Sequence, residues 1–394
     1  MSPAGGKIRV ALVVTRFIAG TGGVALRGAL ALDPSRFAVT VIAGQDGNLL
    51  ADAAEAGLGV IPLRHMRPEI APLQDVKAVR EVAAHIEAGR YHVVHTHSAK
   101  AGLVGRVAAR FHRVPAIVHT FHGFPFHEYQ SPLRRRAYIT IERGLGRITD
   151  RFLAVGSAVA AEAVRLGIAP AEKIRTIGSA VDAVPPATVA TRAEARRRIG
   201  VAANARVVGT VGRVDFQKAP NDMLDAFAKL DSDVHFVWIG SGPMMEAFSR
   251  RVDGSGFKDR FHLLGERRDV AELLPAFDVF AMASLYEGLP CSVVEAMSCG
   301  IPVVATAVNA VPEVVVPGRT GLLVPAAKPD QLGRAIQHLL DRPELGARLS
   351  TAARANLGDR FQVDVLGADL TETYETALDA QERIMSVATY AWPA

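Results

Sequence analysis

The chain has 394 residues, 49% of them apolar, and 45 Lys and Arg against 40 Asp and Glu, for a formal net charge of +5 and an isoelectric point near 9.3. Its length exceeds one ordinary core and points to two domains, and the lack of any run of about 18 apolar residues excludes a membrane span. The modest positive charge favours anionic ligands and falls short of a nucleic-acid binder, while two cysteines, Cys291 and Cys299, fit a reducing cytoplasm and exclude a disulfide framework or a four-ligand zinc site.

From the start, short β-branched runs alternate with longer helical patterns. The first-half strands are expected at Arg9–Thr15, Ala38–Ala43, Gly59–Leu63, His92–His97, Ala116–Thr120, Arg151–Val155 and Ile174–Ile177. The N-terminal run IRVALVVTR is a buried strand closed by Arg16; a secretory signal needs a longer apolar region. The loop RFIAGTGGVALRGAL follows, with Gly20, Gly22 and Gly23 permitting close backbone approach and a helix starting near Val24. It is not a dinucleotide fingerprint: the third glycine falls at Ala25, and AVTVIAGQDG offers only Asp46 where a ribose-binding acid belongs. HVVHTHSAKAG places His95 and His97 on alternate positions of one strand, with Ser98 and Lys100 just past it. VHTFHGFPFHEY sets His119, His122 and His127 around the next strand end. H-x-H is a common zinc pair, but no carboxylate or cysteine nearby completes a set, so no metal is expected. Hydrogen-bonded structural roles are open for His95 and His119. Ser131–Arg151 reads as a basic amphipathic helix, which suits anionic lipid or a phosphorylated acceptor, or is simply a solvated face.

Val181–Val201 opens with a Pro pair and closes with a basic helical pattern, and is taken as linker plus first helix of a second domain. Strands follow at Arg206–Val211, His235–Ile239, Phe261–Leu264, Val279–Met282, Pro302–Thr306 and Gly321–Val324. Strand–helix–strand runs in both halves imply parallel sheets with right-handed crossovers. After the first of these strands, GRVDFQKAP puts Arg213 and Lys218 in a loop before a helix. Two cations there would neutralise a diphosphate, although exposed loop cations are the ordinary alternative. Asp231-Ser232-Asp233 resembles a metal-chelating D-x-D triplet but sits at the amino end of a strand, and is read as a turn. GSGPM at Gly240–Met244 and GERRDV at Gly265–Val270 each end a strand. In SLYEGLPCSVVEAMSCG, Glu287 and Glu295 stand eight residues apart across a turn entering a helix Cys291–Cys299, which Gly300 stops. Backbone N–H groups at a helix start suit phosphate, and a carboxylate suits a vicinal diol. Together they describe a nucleotide-sugar site.

The E-x7-E segment in its full setting, SLYEGLPCSVVEAMSCGIPVVAT, resembles the signature of retaining glycosyltransferases of family 4. That resemblance implies a GT-B fold, an α/β architecture of two Rossmann-like doubly wound domains facing across a cleft. The domains are then 1–184 on the acceptor side, 185–363 on the nucleotide-sugar side, and a helical segment 364–394 crossing back to the first. It further implies that Glu295 holds the ribose diol, that Glu287 with Gly288, Leu289 and Pro290 holds the donor sugar, and that Arg213 and Lys218 hold the diphosphate. Gly240 and Arg267 line the nucleotide pocket, Gly22 and Gly23 approach the diphosphate, and His122, in the family's F-H pair, contacts the donor sugar near the acceptor hydroxyl. The catalytic set is therefore His122, Glu287, Arg213 and Lys218, with His97, Ser98 and Lys100 as acceptor-side candidates. The chain departs from the pattern at Ala219, where the family usually has glycine after the lysine.

The reaction so implied is sugar transfer from a nucleotide diphosphate donor, UDP first by family frequency, to an acceptor hydroxyl with retention and with neither cofactor nor metal. The acceptor class stays open among glycan, lipid-linked intermediate and small molecule, in cell-surface glycan assembly or secondary-metabolite tailoring. A cytoplasmic enzyme is expected, with peripheral contact at the inner membrane face left open; heavy use of Ala, Arg and Val is associated with GC-rich bacterial genomes. A GT-B glycoside phosphorylase would share much of this constellation. An NAD-dependent dehydrogenase lacks its acidic ribose contact, and an inactive binding subunit would show a damaged donor site.

Overall fold

The computed structural model describes residues 6–69 and 71–390. The chain forms two compact units, one from residues up to Ala180 together with those from Gln362 onward, the other spanning Val181–Phe361. The breaks expected after 184 and 363 thus lie a few residues earlier.

Unit 1 runs β1 (Ile8–Arg16), α1 (Thr21–Ala31), β2 (Phe37–Gly44), α2 (Leu50–Glu55), β3 (Gly59–Leu63), α3 (Pro72–Gly89), β4 (Val93–His97), α4 (Ala99–Phe111), β5 (Ala116–Phe121), α5 (Pro132–Gly146), β6 (Arg151–Ala154), α6 (Ser157–Arg165) and β7 (Ile174–Thr176). All seven strands are parallel, in the order β3-β2-β1-β4-β5-β6-β7. Strand order reverses between β1 and β4, so right-handed crossovers put α1 and α2 on one face and α3 to α6 on the other. Packing of α3 on α4 and of α4 on α5 agrees with that placement. Both faces being covered, β4 and β5 are buried along their whole length.

Unit 2 runs α7 (Val189–Ile199), β8 (Arg206–Val211), α8 (Pro220–Phe227), β9 (Val234–Ile239), α9 (Met245–Asp253), β10 (Phe261–Leu263), α10 (Val270–Leu273), β11 (Val279–Met282), α11 (Cys291–Cys299), β12 (Val303–Thr306), β13 (Leu322–Val324), α12 (Pro329–Leu340) and α13 (Pro343–Leu357). Its six-stranded sheet has the order β10-β9-β8-β11-β12-β13, and the reversal falls between β8 and β11. Phe227, Phe236, Trp238, Phe248 and Phe261 fill the core with edge-to-face and stacked ring contacts.

The chain then returns to unit 1 as α14 (Val363–Tyr390). It packs on α1 and β5, burying Leu366, Leu370, Tyr374 and Ala377. A β-carbon on Gly28 of α1 would meet Leu370 at 2.7 Å, so the glycine lets the two helices approach.

Every strand expected from the sequence is present with its ends moved by at most one residue. Alternating apolar runs made them legible. The α1 helix, however, begins at Thr21 and not near Val24. Gly20 takes a left-handed φ of 78° and accepts the first helical bond from Val24, so Gly22 and Gly23 lie inside the first turn.

Candidate active-site residues

In unit 2, the candidate residues collect at the carboxyl ends of β8 and β11, where the strand order reverses. Ligands bind at such a point in open α/β sheets, because flanking loops part there to opposite faces. The β8 loop supplies Lys218 and the β11 loop supplies Glu287. Lys218 Nζ donates to Glu287 Oε1 at 2.6 Å, with the carboxylate buried and the lysine side chain 16% exposed. Gln217 Nε2 donates to the other oxygen of Glu287 at 3.1 Å and to the Tyr286 carbonyl at 2.9 Å. The Glu287 backbone N–H is taken by Asn309 Oδ1 at 2.8 Å, and Leu285 N donates to the Gln217 carbonyl at 2.8 Å. The two loops are therefore laced together. Glu287 is a carboxylate fixed in place beside a cation that keeps spare donors, since an ammonium carries three.

Arg213 is on the same loop but exposed, and its guanidinium pairs with Asp215 at 2.6 Å. Asp215 in turn accepts from the Lys218 N–H at 3.1 Å, closing the loop on itself. Ala219 follows at φ 48°, ψ 59° and caps α8, whose first residue is Pro220. A left-handed conformation without glycine is a strained way to enter a helix.

Gly240 ends β9 at φ 135°, and a β-carbon there would lie 2.1 Å from the Gly212 carbonyl oxygen. Only glycine fits. Its N–H donates to Gly265 O at 2.7 Å, which ties the GSGPM and GERRDV segments side by side. Arg267 forms two bonds to Asp269, at 2.8 and 2.7 Å, and remains partly exposed. Beyond Glu287, Gly288, Leu289 and Pro290 are buried and lead into α11, which Gly300 closes at φ 87°. Glu295 lies one turn inside this helix, half-buried. The Asp231–Asp233 triplet precedes β9, away from these residues, and pairs with Arg206.

In unit 1, the histidines form a stack at the carboxyl ends of β4 and β5. Ring centroids of His95 and His97 are 4.2 Å apart, and those of His97 and His122 are 5.1 Å apart. His95 is held on both nitrogens, by Tyr374 Oη and by Thr120 Oγ1, each at 2.7 Å. His119 bonds Thr96 Oγ1 at 2.8 Å. Both are hydrogen-bonded core residues. His97 Nδ1 meets His122 Nε2 at 2.8 Å, while His97 Nε2 is buried with no hydrogen-bond partner. Burial depresses every one of these imidazoles: His95 to about 3, His122 to about 4, and His97 and His119 well below the ordinary value. They are neutral at pH 7.

Ser98 ends β4 at φ 67°, ψ 160°, a region almost confined to glycine, with its hydroxyl 2.7 Å from Thr15 Oγ1. Strain of this kind collects at functional sites. Lys100 is engaged by Asp75 at 2.7 Å and by the Glu69 carbonyl. Of the acceptor-side candidates, His97 is thus buried beside His122 and Lys100 is pinned to α3. Among the described residues, no group of three or more His, Cys, Asp or Glu is placed to hold a metal.

Sequence reasoning did not find Gln217, Asp215, Asn309 or Tyr374. The first two adjoin Lys218 and Arg213 and were within reach; nothing in the sequence marks Asn309 or Tyr374 as partners of Glu287 and His95.

Comparison with known proteins gives two matching family models: Glycosyl transferases group 1 over residues 205–342 and Glycosyl transferase 4-like domain over residues 19–180. The UDP-Gal:alpha-D-GlcNAc-diphosphoundecaprenol alpha-1,3-galactosyltransferase of Escherichia coli is 29% identical over 312 residues, covering 77% of this chain and 80% of that one. A D-inositol 3-phosphate glycosyltransferase of Geodermatophilus obscurus is 33% identical over 336 residues, 77% of this chain and 71% of the relative. Among solved structures, Anabaena HepE in complex with UDP and glucose superposes with a TM-score of 0.80 at 22% identity, covering 94% of this chain and 100% of that chain. Sucrose-phosphate synthase from Thermosynechococcus elongatus gives a TM-score of 0.82 at 20% identity, covering 95% and 100%. With two parallel Rossmann-like sheets and neighbours that are GT-B enzymes, the chain belongs to the group 1 glycosyl transferases, as a glycosyltransferase of GT-B fold with a glycosyl transferase 4-like first half.

Proposed function

We propose that this glycosyltransferase moves a hexose-type sugar from a UDP-sugar to an acceptor hydroxyl, with retention at the anomeric carbon and without a divalent cation. The observation that carries the reading is the convergence of Lys218 and Glu287 at the strand-order reversal of unit 2. A fixed cation and a fixed carboxylate side by side suit the two ends of a sugar–diphosphate linkage: Lys218 takes phosphate oxygens, and Glu287 accepts from sugar hydroxyls. Arg213, exposed on the same loop, adds a second cation for the diphosphate. Glu295 accepts from the ribose diol, and the buried Gly288–Pro290 backbone borders the sugar. In unit 1, His122 is assigned to the sugar near the attacking hydroxyl. A UDP-galactose donor in the name of the Escherichia coli relative and the UDP bound by HepE support the choice of nucleotide.

In the proposed step the acceptor oxygen attacks C1 on the face from which the diphosphate departs. The C1–O bond to phosphate breaks, the new C1–O bond forms, and the hydroxyl proton passes to the leaving phosphate oxygen. Lys218 and Arg213 oppose the charge that grows on that oxygen, which is where a preorganised cation lowers a barrier.

A thermal-shift panel tests the donor class without an acceptor. UDP or GDP at millimolar concentration is expected to raise the melting temperature, and NAD is expected not to. A response to NAD with none to either nucleoside diphosphate overturns the proposal. Once an acceptor is found, the anomeric configuration of the product reads retention directly.

A further inference from the structure

The outward surface of α4 and α5 carries charge of one sign around large exposed apolar side chains. On α5, Ile139, Glu142, Leu145 and Gly146 face the sheet. Turning 100° per residue, Leu133, Ala137 and Ile141 fall together on the opposite side, where all are exposed. Arg136 and Arg143 border this stripe on one side and Arg134 on the other; all three are exposed, Arg143 with its Nε held by the Leu166 carbonyl at 2.6 Å and Arg134 by the Tyr138 hydroxyl at 3.4 Å, each keeping further N–H donors. The adjacent α4 repeats the pattern, with Val107 and Phe111 exposed beside Arg110. Leu133 and Phe111 are each 80% exposed, and with Val107 and Ile141 they gather on neighbouring helices, which isolated surface residues do not. The one carboxylate on these two helices, Glu142, is buried in an ion pair with Arg106 at 2.7 Å. A solvated face ordinarily mixes both signs. This one does not.

We propose that the outer face of α4 and α5 seats unit 1 on an anionic bilayer surface. An arginine border around an apolar stripe matches the boundary between headgroup and acyl chain: guanidinium groups reach lipid phosphates while Leu133, Ile141 and Phe111 enter the apolar layer. Charge complementarity selects this occupant. A second copy of the same face would set arginine against arginine, and a nucleic acid leaves the apolar stripe without a partner. No helix among the described residues is long and apolar enough to cross a membrane, so the attachment is peripheral. The inference stands apart from the transfer reaction, since vesicle binding needs neither donor nor acceptor.

Flotation with phosphatidylcholine vesicles, alone or with about one third phosphatidylglycerol, tests it. The full chain is expected to float with the anionic vesicles only and to be released by salt. Arg136→Gln and Arg134→Gln are each expected to weaken binding about fivefold, the factor for one cation near an anionic surface. Leu133→Ser with Phe111→Ser is expected to lower it tenfold or more while leaving the melting temperature unchanged. Hydrogen exchange on the wild-type chain, which does not depend on any variant, is expected to slow in α4 and α5 when anionic vesicles are added. The proposal is overturned if the wild type stays in solution, if the serine variant floats as the wild type does, or if a DNA oligonucleotide is bound more tightly than the vesicles.

Discussion

Lys218 and Glu287, sixty-nine positions apart in the chain, neutralise each other at 2.6 Å across the point where the strand order of unit 2 reverses. Each partner therefore orients the other. Lys218→Ala removes a cation from the growing charge and is expected to lower the transfer rate by on the order of a hundredfold or more. It also leaves a buried carboxylate with Gln217 alone, so a modest loss of melting temperature should accompany it. EDTA is expected to leave the wild type active; restoration by magnesium after EDTA inactivation would sink the fixed-cation account.

The two glutamates separate by what they touch in the proposed complex. Glu287→Ala should lose turnover with little change in UDP affinity, because its partner is the transferred sugar. Glu295→Ala should weaken UDP binding, since ribose is held equally in ground and transition states. Calorimetry with UDP alone distinguishes them, and equal losses of affinity in both variants would refute the assignment.

Ala219 enters α8 at φ 48°, the position where family 4 usually carries glycine. Left-handed backbone costs an L-residue roughly 1–2 kcal/mol, partly offset by the greater freedom glycine has when unfolded. Ala219→Gly is expected to stabilise by up to about 1 kcal/mol, seen as a higher melting temperature. A lower one means that the alanine methyl makes packing contacts that outweigh the strain.

The His97–His122 contact fixes a tautomer. If His122 donated, His97 would carry a buried N–H at Nε2 with no acceptor, and orphaned donors are rarer than orphaned acceptors. His97 Nδ1–H therefore donates, and His122, accepting at Nε2, carries its proton on Nδ1. Asparagine can supply a donor where Nδ1 lies, and leucine cannot. His97→Asn should keep most of the turnover that His97→Leu loses, by about tenfold; similar rates in the two variants would show the role to be packing alone.

Protonation of the buried histidines opposes folding. An unfolded histidine takes up a proton as pH falls below about 6.5, whereas His95 resists until about 3 and His122 until about 4. Since the unfolded chain binds more protons throughout that window, stability is full above pH 6.5 and falls as the medium is acidified toward 4. Each such residue contributes a slope of up to about 1.4 kcal/mol per pH unit. Hydrogen exchange in β4 and β5 should accelerate between pH 6.5 and 4.5, and a flat profile contradicts the burial argument.

Much of this architecture is legible in the sequence because a parallel strand buried on both faces is an apolar run that admits few other readings. Val279–Met282 and Arg206–Val211 appear at the expected residues. Glu287 and Lys218 could be singled out as chemistry, yet their pairing could not, since it depends on which loops the strand order brings together. Tyr374 is still less visible: it reaches His95 from a helix 279 positions away. Local periodicity announces that helix and says nothing of where it docks. The start of α1 differs from the expected one for a local reason, the positive-φ turn at Gly20 that no apolar pattern encodes.

The return of α14 to unit 1 gives this chain an unusual order of completion on the ribosome. Domains ordinarily fold as they emerge, the N-terminal one first. Here the first unit waits for its last helix while all of Val181–Phe361 is synthesised, on the order of ten seconds or more at ordinary rates of synthesis. During that interval the α1 surface around Gly28 and the Nδ1 side of His95 lack their covers, Leu370 and Tyr374. The later-made unit is the one free to finish first, and the nascent chain's exposure to chaperones is set by how quickly those closing residues arrive.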